Sequence, residues 1–227
     1  MEQDEVRGTA VVAQASETDD LFAGETIVAR DVSYQDYLTG RYGRHTEWIN
    51  GVVIAMSPIS VPHDQMQYYL RTLLSVYLQR TAGGFVFSDP VVMKSAPDMP
   101  GRQPDIQVVL PDRAHFIEQN QVAGPANLVV EIVSPDSVKR DRGAKFDEYE
   151  KGGVTEYWII DPERREALFY VVGEDGLYHS RQPVEGVYSS HVLSKLRLHV
   201  ETLWQEKLPE VIEIVQMVEQ MLMEQKP

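Results

Sequence analysis

Leu128-Val129-Val130-Glu131-Ile132-Val133 sets one carboxylate inside an otherwise apolar run, and Ser134-Pro135-Asp136 closes that run with turn residues. A short apolar segment bounded in this way reads as a central strand of a sheet. Asp105 to Leu110, introduced by Pro104, is a second such segment and by its apolar character belongs beside the first. Downstream, residues 141–151 are helical in composition and end at Gly152-Gly153; Tyr157-Trp158-Ile159-Ile160 is then another buried strand, stopped by Asp161-Pro162. Leu168 to Val172 and Leu177 to Arg181 alternate around Gly173 to Gly176 as a hairpin of an outer sheet.

Upstream, Phe85 to Met93 reads as one extended segment. Met66, Tyr69, Leu70, Leu73, Leu74, Tyr77 and Leu78 recur at helical spacing within residues 62–80, and Gly83-Gly84 closes that helix. Glu47 to Ala55 reads as two strands around Asn50-Gly51, and Ser33 caps a short helix through Tyr34, Tyr37 and Leu38. At the C-terminus, Leu208, Val211, Ile212, Val215, Val218 and Leu222 fall on one helical stripe, extended by Met217, Met221 and Met223. That stripe either docks on the core or pairs two chains into a homodimer.

The chain has 227 residues, 43% hydrophobic and 25% charged, enough for one sizeable core. The expected organisation is an acidic, unstructured tail over 1–30, a single α/β domain over 31–200 and an amphipathic helix within 201–227. The absence of cysteine excludes a disulfide framework, a thiol nucleophile and cysteine-ligated metal. No apolar run reaches the ~18 residues of a membrane span, and the first residues lack the basic and apolar regions of a signal peptide. A soluble, cytoplasmic protein without membrane contact is expected. The formal net charge of -14 argues against a nucleic-acid partner, but residues 1–25 carry -6 and residues 201–227 carry -4, which leaves only -4 on the core.

Burying an unpaired carboxylate costs several kcal/mol. Glu131 is therefore paired with a base inside the sheet, hydrogen-bonded, protonated, placed where a strand face meets solvent, or bound to a cation. Asp105, alone a turn residue after proline, supplies a second acid on the neighbouring strand. Two facing carboxylates form the hard, oxygen-liganded site that suits Mg²⁺ or Mn²⁺. Asp141, Lys145 and Tyr149 share a helix face at i, i+4 and i+8. Lys139, Arg140, Arg142 and Lys145 form the densest basic stretch of the core, a pattern that is also that of a solvated helix face. HExxH, GxSxG and phosphate-binding glycine loops are all missing, which removes support for zinc hydrolysis, serine hydrolysis and nucleotide-binding folds.

The order Pro104-Asp105, Glu131-Ile132-Val133-Ser134-Pro135, Asp141 with Lys145 and Tyr149, then Gly153-Val154 and Glu156-Tyr157-Trp158 resembles the Uma-two family. The similarity takes in Glu47, Gly51, Ser57-Pro58 and His63, and spans roughly residues 33–172. Those proteins are assigned to the PD-(D/E)XK restriction-endonuclease-like superfamily, so the resemblance implies a restriction-endonuclease-like mixed β-sheet flanked by α-helices. It also implies a metal-dependent endonuclease acting on DNA. The superfamily places a lysine two residues after the acid, where this chain has Val133; the family is thought to supply it from the following helix, where Lys145 stands. Glu47 matches the family's early acid, with an exposed hairpin residue as the alternative. His63, at a helix start after Pro62, is a peripheral site candidate, as is Tyr149.

On this reading Asp105, Glu131 and the Ile132 carbonyl bind Mg²⁺ or Mn²⁺, and Lys145 acts on the attacking water or the developing charge. Lys139, Arg140 and Arg142 are candidate phosphate contacts. The alternative is a catalytically inactive nuclease-fold module that uses its surface for a partner.

Overall fold

The structure, a computed structural model, describes Phe22 and residues 25–40, 42–43, 45–81, 83–134, 137–138 and 140–224. β1 (Thr26–Ala29), α1 (Tyr34–Leu38), β2 (Thr46–Ile49) and β3 (Val52–Ala55) lead into the long helix α2 (Val61–Arg80). β4 (Phe85–Ser88), β5 (Val92–Met93), β6 (Ile106–Val109), β7 (Gln121–Val122) and β8 (Leu128–Ile132) follow; a π-helical turn (Arg140–Ala144) then runs into α3 (Lys145–Gly152). β9 (Glu156–Asp161), β10 (Glu166–Val172), β11 (Tyr178–Ser180), β12 (Val187–Ser189), β13 (Arg197–His199) and α4 (Val211–Met223) complete the chain.

The main sheet has the order β11-β10-β9-β8-β6-β4. β8 and β9 are parallel, and the other neighbours are antiparallel, so the sheet is mixed. Every residue of β6, β8 and β9 is buried, as the apolar runs predict for central strands covered on both faces. Side chains alternate between faces along a strand. Val108, Leu128, Val130, Ile132, Trp158 and Ile160 pack with α2 and α4 on one side. Val109, Val129, Val133, Tyr157 and Ile159 pack with Tyr149 of α3 on the other. Glu131 lies between Val129 and Val133 and so faces α3.

The local signals act as expected in three places. Ser60 accepts from His63 N at 3.3 Å and starts α2, which then buries all seven of its periodic apolar residues. Asn50 and Gly51 carry the positive φ angles (47° and 89°) that a tight hairpin turn between β2 and β3 requires. Gly153, at φ 85°, ends α3 in the left-handed conformation.

Elsewhere tertiary context changes the outcome. Phe85 to Met93 is not one strand: it breaks at Asp89-Pro90, so that β4 pairs with β6 while β5 pairs in parallel with β7 in a separate small sheet. Proline has no N–H to give a ladder, which is the physical reason for the break. The β10–β11 hairpin is the edge of the main sheet rather than an outer sheet, because β10 pairs with β9 from Glu166 to Val171. The C-terminal stripe is displaced as well. α4 buries Ile214, Val218 and Met221 against the core and leaves Ile212 74% exposed; in a helix so rich in apolar residues two stripes compete, and contact with α2 selects one. Thr26–Ala29, assigned to the acidic tail, pairs with β3, and Phe22 is buried with Ile49, Val52 and Ile54. Residues 1–21 of that expected tail lie outside the described residues. Among the described residues no helix is long and apolar enough to cross a membrane.

Candidate active site

β6 and β8 run antiparallel with Ile106 opposite Val130, so one further step sets Asp105 opposite Glu131 on the α3 side of the sheet. The paired stretch ends there, and the Asp105 side chain takes over: its Oδ2 accepts the Ile132 N–H at 2.6 Å. Its Oδ1 lies 3.1 Å from His63 Nε2, and its backbone carbonyl accepts from Gln67 Nε2 at 2.9 Å. His63 and Gln67 stand one turn apart on the buried face of α2. Both ends of the Asp105 residue are thus held by one helix.

α3 holds Glu131 in the same way. Tyr149 OH donates to Glu131 Oε1 at 2.7 Å, and Lys145 Nζ lies 2.9 Å from Oε2, with Lys145 and Tyr149 one turn apart. The Lys145 ammonium also faces Asp141 Oδ1 at 3.3 Å and Glu47 Oε1 at 3.6 Å. Glu47 enters from β2, where it accepts from Arg102 Nη1 at 2.7 Å and from Gln103 N at 3.2 Å. Arg102 spends the rest of its fork on Glu148 through two 2.7 Å bonds. Lys145, Glu131, Glu47 and Asp141 are all buried.

The electrostatics follow from this crowding. Burial and the charges of Asp105, Asp141 and Glu47 push the Glu131 carboxyl up to about 8 despite Lys145. Burial alone would raise Glu47 too, but Lys145 and Arg102, with Arg140 beyond them, hold it at about 2. Burial would lower Lys145; Glu131, Glu47 and Asp141 outweigh it and keep the ammonium charged. For His63, burial is likewise overcome by the bond and charge of Asp105, and its pKa is raised.

Asp105, Glu131, Ile132, Asp141 and Lys145 line one cleft together with His63 and Arg140. Its potential metal donors are carboxylate and carbonyl oxygens, the hard set that Mg²⁺ takes. Among the described residues no group of three His, Asp or Glu is arranged to hold an ion alone. A pair of carboxylates is nevertheless a fit for Mg²⁺, which keeps several waters and completes its shell with substrate oxygens. The surplus of negative charge that raises Glu131 is the kind that a cation relieves as well as a proton does.

Of the residues expected from the sequence, Asp105, Glu131, Lys145, Glu47, Ile132, Tyr149 and His63 come together. Glu47 is fully buried rather than an exposed hairpin residue, because Arg102 and Lys145 neutralise it from two sides. His63 is buried as well, not an exposed helix-start histidine, since Asp105 gives its ring a partner. Arg140 lines the cleft, and its Nη1 donates to Glu25 Oε1 at 2.7 Å, although Glu25 itself is not part of the cleft lining. Arg142 instead binds Asp161 and Glu166, at 3.1 and 2.5 Å, outside the cleft wall. Lys139 lies outside the described residues. Sequence reasoning set Asp141 on the face it shares with Lys145 and Tyr149 but gave it no role in the site. It missed Arg102 and Gln67, which gave no local signal.

The fold has a counterpart of known structure. A crystal structure of "a putative nuclease belonging to DUF820" from Anabaena variabilis ATCC 29413 superimposes with a TM-score of 0.57 over 70% of this chain and 89% of that one, at 18% sequence identity. At that identity the likeness carries the fold. No curated protein matches the chain. The Uma2 family, described as "Putative restriction endonuclease", matches residues 33–201, a span that includes Glu47, Asp105, Glu131, Asp141 and Lys145. With that match over well more than half its length, the chain belongs to the Uma2 family.

Proposed function

We propose that this protein is a metal-dependent endonuclease that hydrolyses DNA phosphodiester bonds, with Mg²⁺ as its ion and Mn²⁺ able to replace it. The observation that carries the reading is the 2.9 Å approach of Lys145 Nζ to Glu131 in the cleft that Asp105 also lines. Val133 stands where the superfamily pattern has its lysine, and the ammonium arrives from α3 instead.

Asp105, Glu131 and the Ile132 carbonyl would hold the ion. A divalent cation there supplies Lewis acidity to the phosphodiester and its attacking water. The remaining roles belong to the chain. Lys145 offsets charge on the phosphoryl oxygens as the water oxygen bonds to phosphorus and the P–O ester bond breaks, with one proton of the water ending on the departing alkoxide oxygen by way of solvent. Glu47 and Asp141 keep Lys145 charged. Tyr149 fixes Glu131, and His63 fixes Asp105, so neither carboxylate has to reorganise during the reaction.

Incubation with supercoiled plasmid tests this. Nicking should require Mg²⁺ or Mn²⁺, stop on chelation, and fall by about a hundredfold or more in Asp105→Asn and Lys145→Met. One observation favours the alternative of an inactive module: Arg140, Arg142 and Lys145 are all tied to carboxylates. Plasmid left intact by wild type with either ion would decide for that alternative.

A further inference from the structure

A phosphodiester entering this cleft meets Asp105, Glu131 and Asp141 on its wall, so its approach depends on whichever cation is free to receive it. Lys145 is 2% exposed and shared among three carboxylates. Arg102 is as deeply buried and spends its fork on Glu47 and Glu148. Arg142 is bound to Asp161 and Glu166 and does not line the cleft. Arg140 differs from all of these. It lines the cleft, and among the described residues only one of its guanidinium nitrogens is held, by Glu25 at 2.7 Å, while its buried Nε has no hydrogen-bond partner. A guanidinium with an unused donor beside a displaceable carboxylate is a half-filled oxyanion site, because phosphate and carboxylate accept from the same planar fork.

Glu25 does not reach Arg140 by chance of a loose terminus. Its own N–H donates to Phe22 O at 3.0 Å, and Phe22 is seated with Ile49, Val52 and Ile54. On its other side β1 begins at Thr26 and pairs with β3. The backbone is therefore pinned on both sides by contacts outside the cleft, while the carboxylate, 25% exposed, can swing into water without disturbing either anchor. The elements that fix Glu25 are independent of those that fix Asp105 and Glu131.

We propose that Arg140 is the phosphate anchor of the cleft and that Glu25 occupies it as an internal carboxylate that a nucleic-acid phosphate must displace. This rests on the nuclease reading and specifies how that site admits substrate. Glu25 then sets a threshold for binding: weak or isolated phosphates lose to it, whereas a strand that engages the cation and Arg140 together wins. A surface pair that merely stiffens the N-terminal segment would have no such effect.

The test is DNA binding by the full chain in Ca²⁺, followed by fluorescence anisotropy of a labelled mixed-sequence duplex and of its single strand, over a range of salt, with the recovered DNA checked for cleavage. Glu25→Gln should tighten binding of at least one probe about threefold to tenfold and steepen its salt dependence by about one counterion, the charge-pairing increment of a single phosphate contact. Arg140→Gln should weaken binding, and Glu25→Gln should add nothing in the Arg140→Gln background. Glu25→Asp, shorter by one methylene, serves in place of Glu25→Gln should the latter lower the melting temperature. Unchanged affinity in Glu25→Gln, or an equal gain with and without Arg140, overturns the inference and leaves the nuclease reading intact. Wild type and every variant failing to bind either probe overturns both.

Discussion

At the scale of single residues, the site is a negotiation among buried charges, and its pH response can be stated with its sign. Glu131, raised to about 8 from 4.5, gives stability that is present below pH 4.5 and lost as pH rises through 8. Glu47, lowered to about 2, works the other way: its stability is present above pH 4.5 and lost as pH falls toward 2. Glu131→Gln should therefore leave the metal-free protein as stable as wild type at pH 5 and more stable at pH 8, by on the order of 1 kcal/mol, in denaturant titrations across that range. Parallel curves for the two proteins would mean that Glu131 is not under strain. Arg102 predicts the opposite kind of result. Replacing it with Met removes one of the two cations beside the buried Glu47, leaving Lys145 the other, and should cost about 3 kcal/mol at neutral pH in the same titrations. Glu131 was legible in the sequence because a carboxylate within an apolar strand demands compensation. Arg102 was not, since its partners lie on β2 and α3, far away along the chain.

At the scale of elements, two helices hold two carboxylates. α2 grips Asp105 with His63 and Gln67, and α3 grips Glu131 with Lys145 and Tyr149, each pair spaced one turn apart. The helices themselves were readable from apolar spacing and from the Ser60 and Gly153 signals. Which polar residue on a helix faces inward depends on what it meets across the gap, and no spacing rule contains that. The seating of α3 is tight at its end: a Cβ on Gly152 would lie 2.1 Å from Ser95 Oγ and 2.6 Å from Ser95 Cβ. Gly152→Ala should destabilise the protein by about 1–3 kcal/mol in thermal or chemical unfolding, although alanine is the better helix former. A stabilised variant would show that α3, and with it Lys145, is not held where the site requires. Gln67→Leu should weaken Mg²⁺ affinity more than it lowers the melting temperature, because its amide orients Asp105 rather than filling the core.

At the scale of the molecule, α4 closes the face of the sheet opposite the site. Ile214, Val218 and Met221 pack into the same core as α2, so a chain ending at Leu208 should lose cooperative unfolding or melt at least about 10 °C lower. A shortened chain that keeps its melting temperature but changes its mass in sedimentation would instead make α4 an association element. The central strands were legible from their mainly apolar runs and the mixed sheet from the family resemblance; the fate of the β10–β11 hairpin and the face of α4 were not, because both are settled by partners distant in sequence. What unites the three scales is the claim that Asp105 and Glu131 together hold a divalent cation. Calorimetric titration of Mg²⁺ into wild type, Asp105→Asn and Glu131→Gln tests it most directly. The account predicts saturable binding by wild type and affinity weaker by more than about tenfold in each variant with the fold retained; equal binding by all three proteins, or none by wild type, would contradict it.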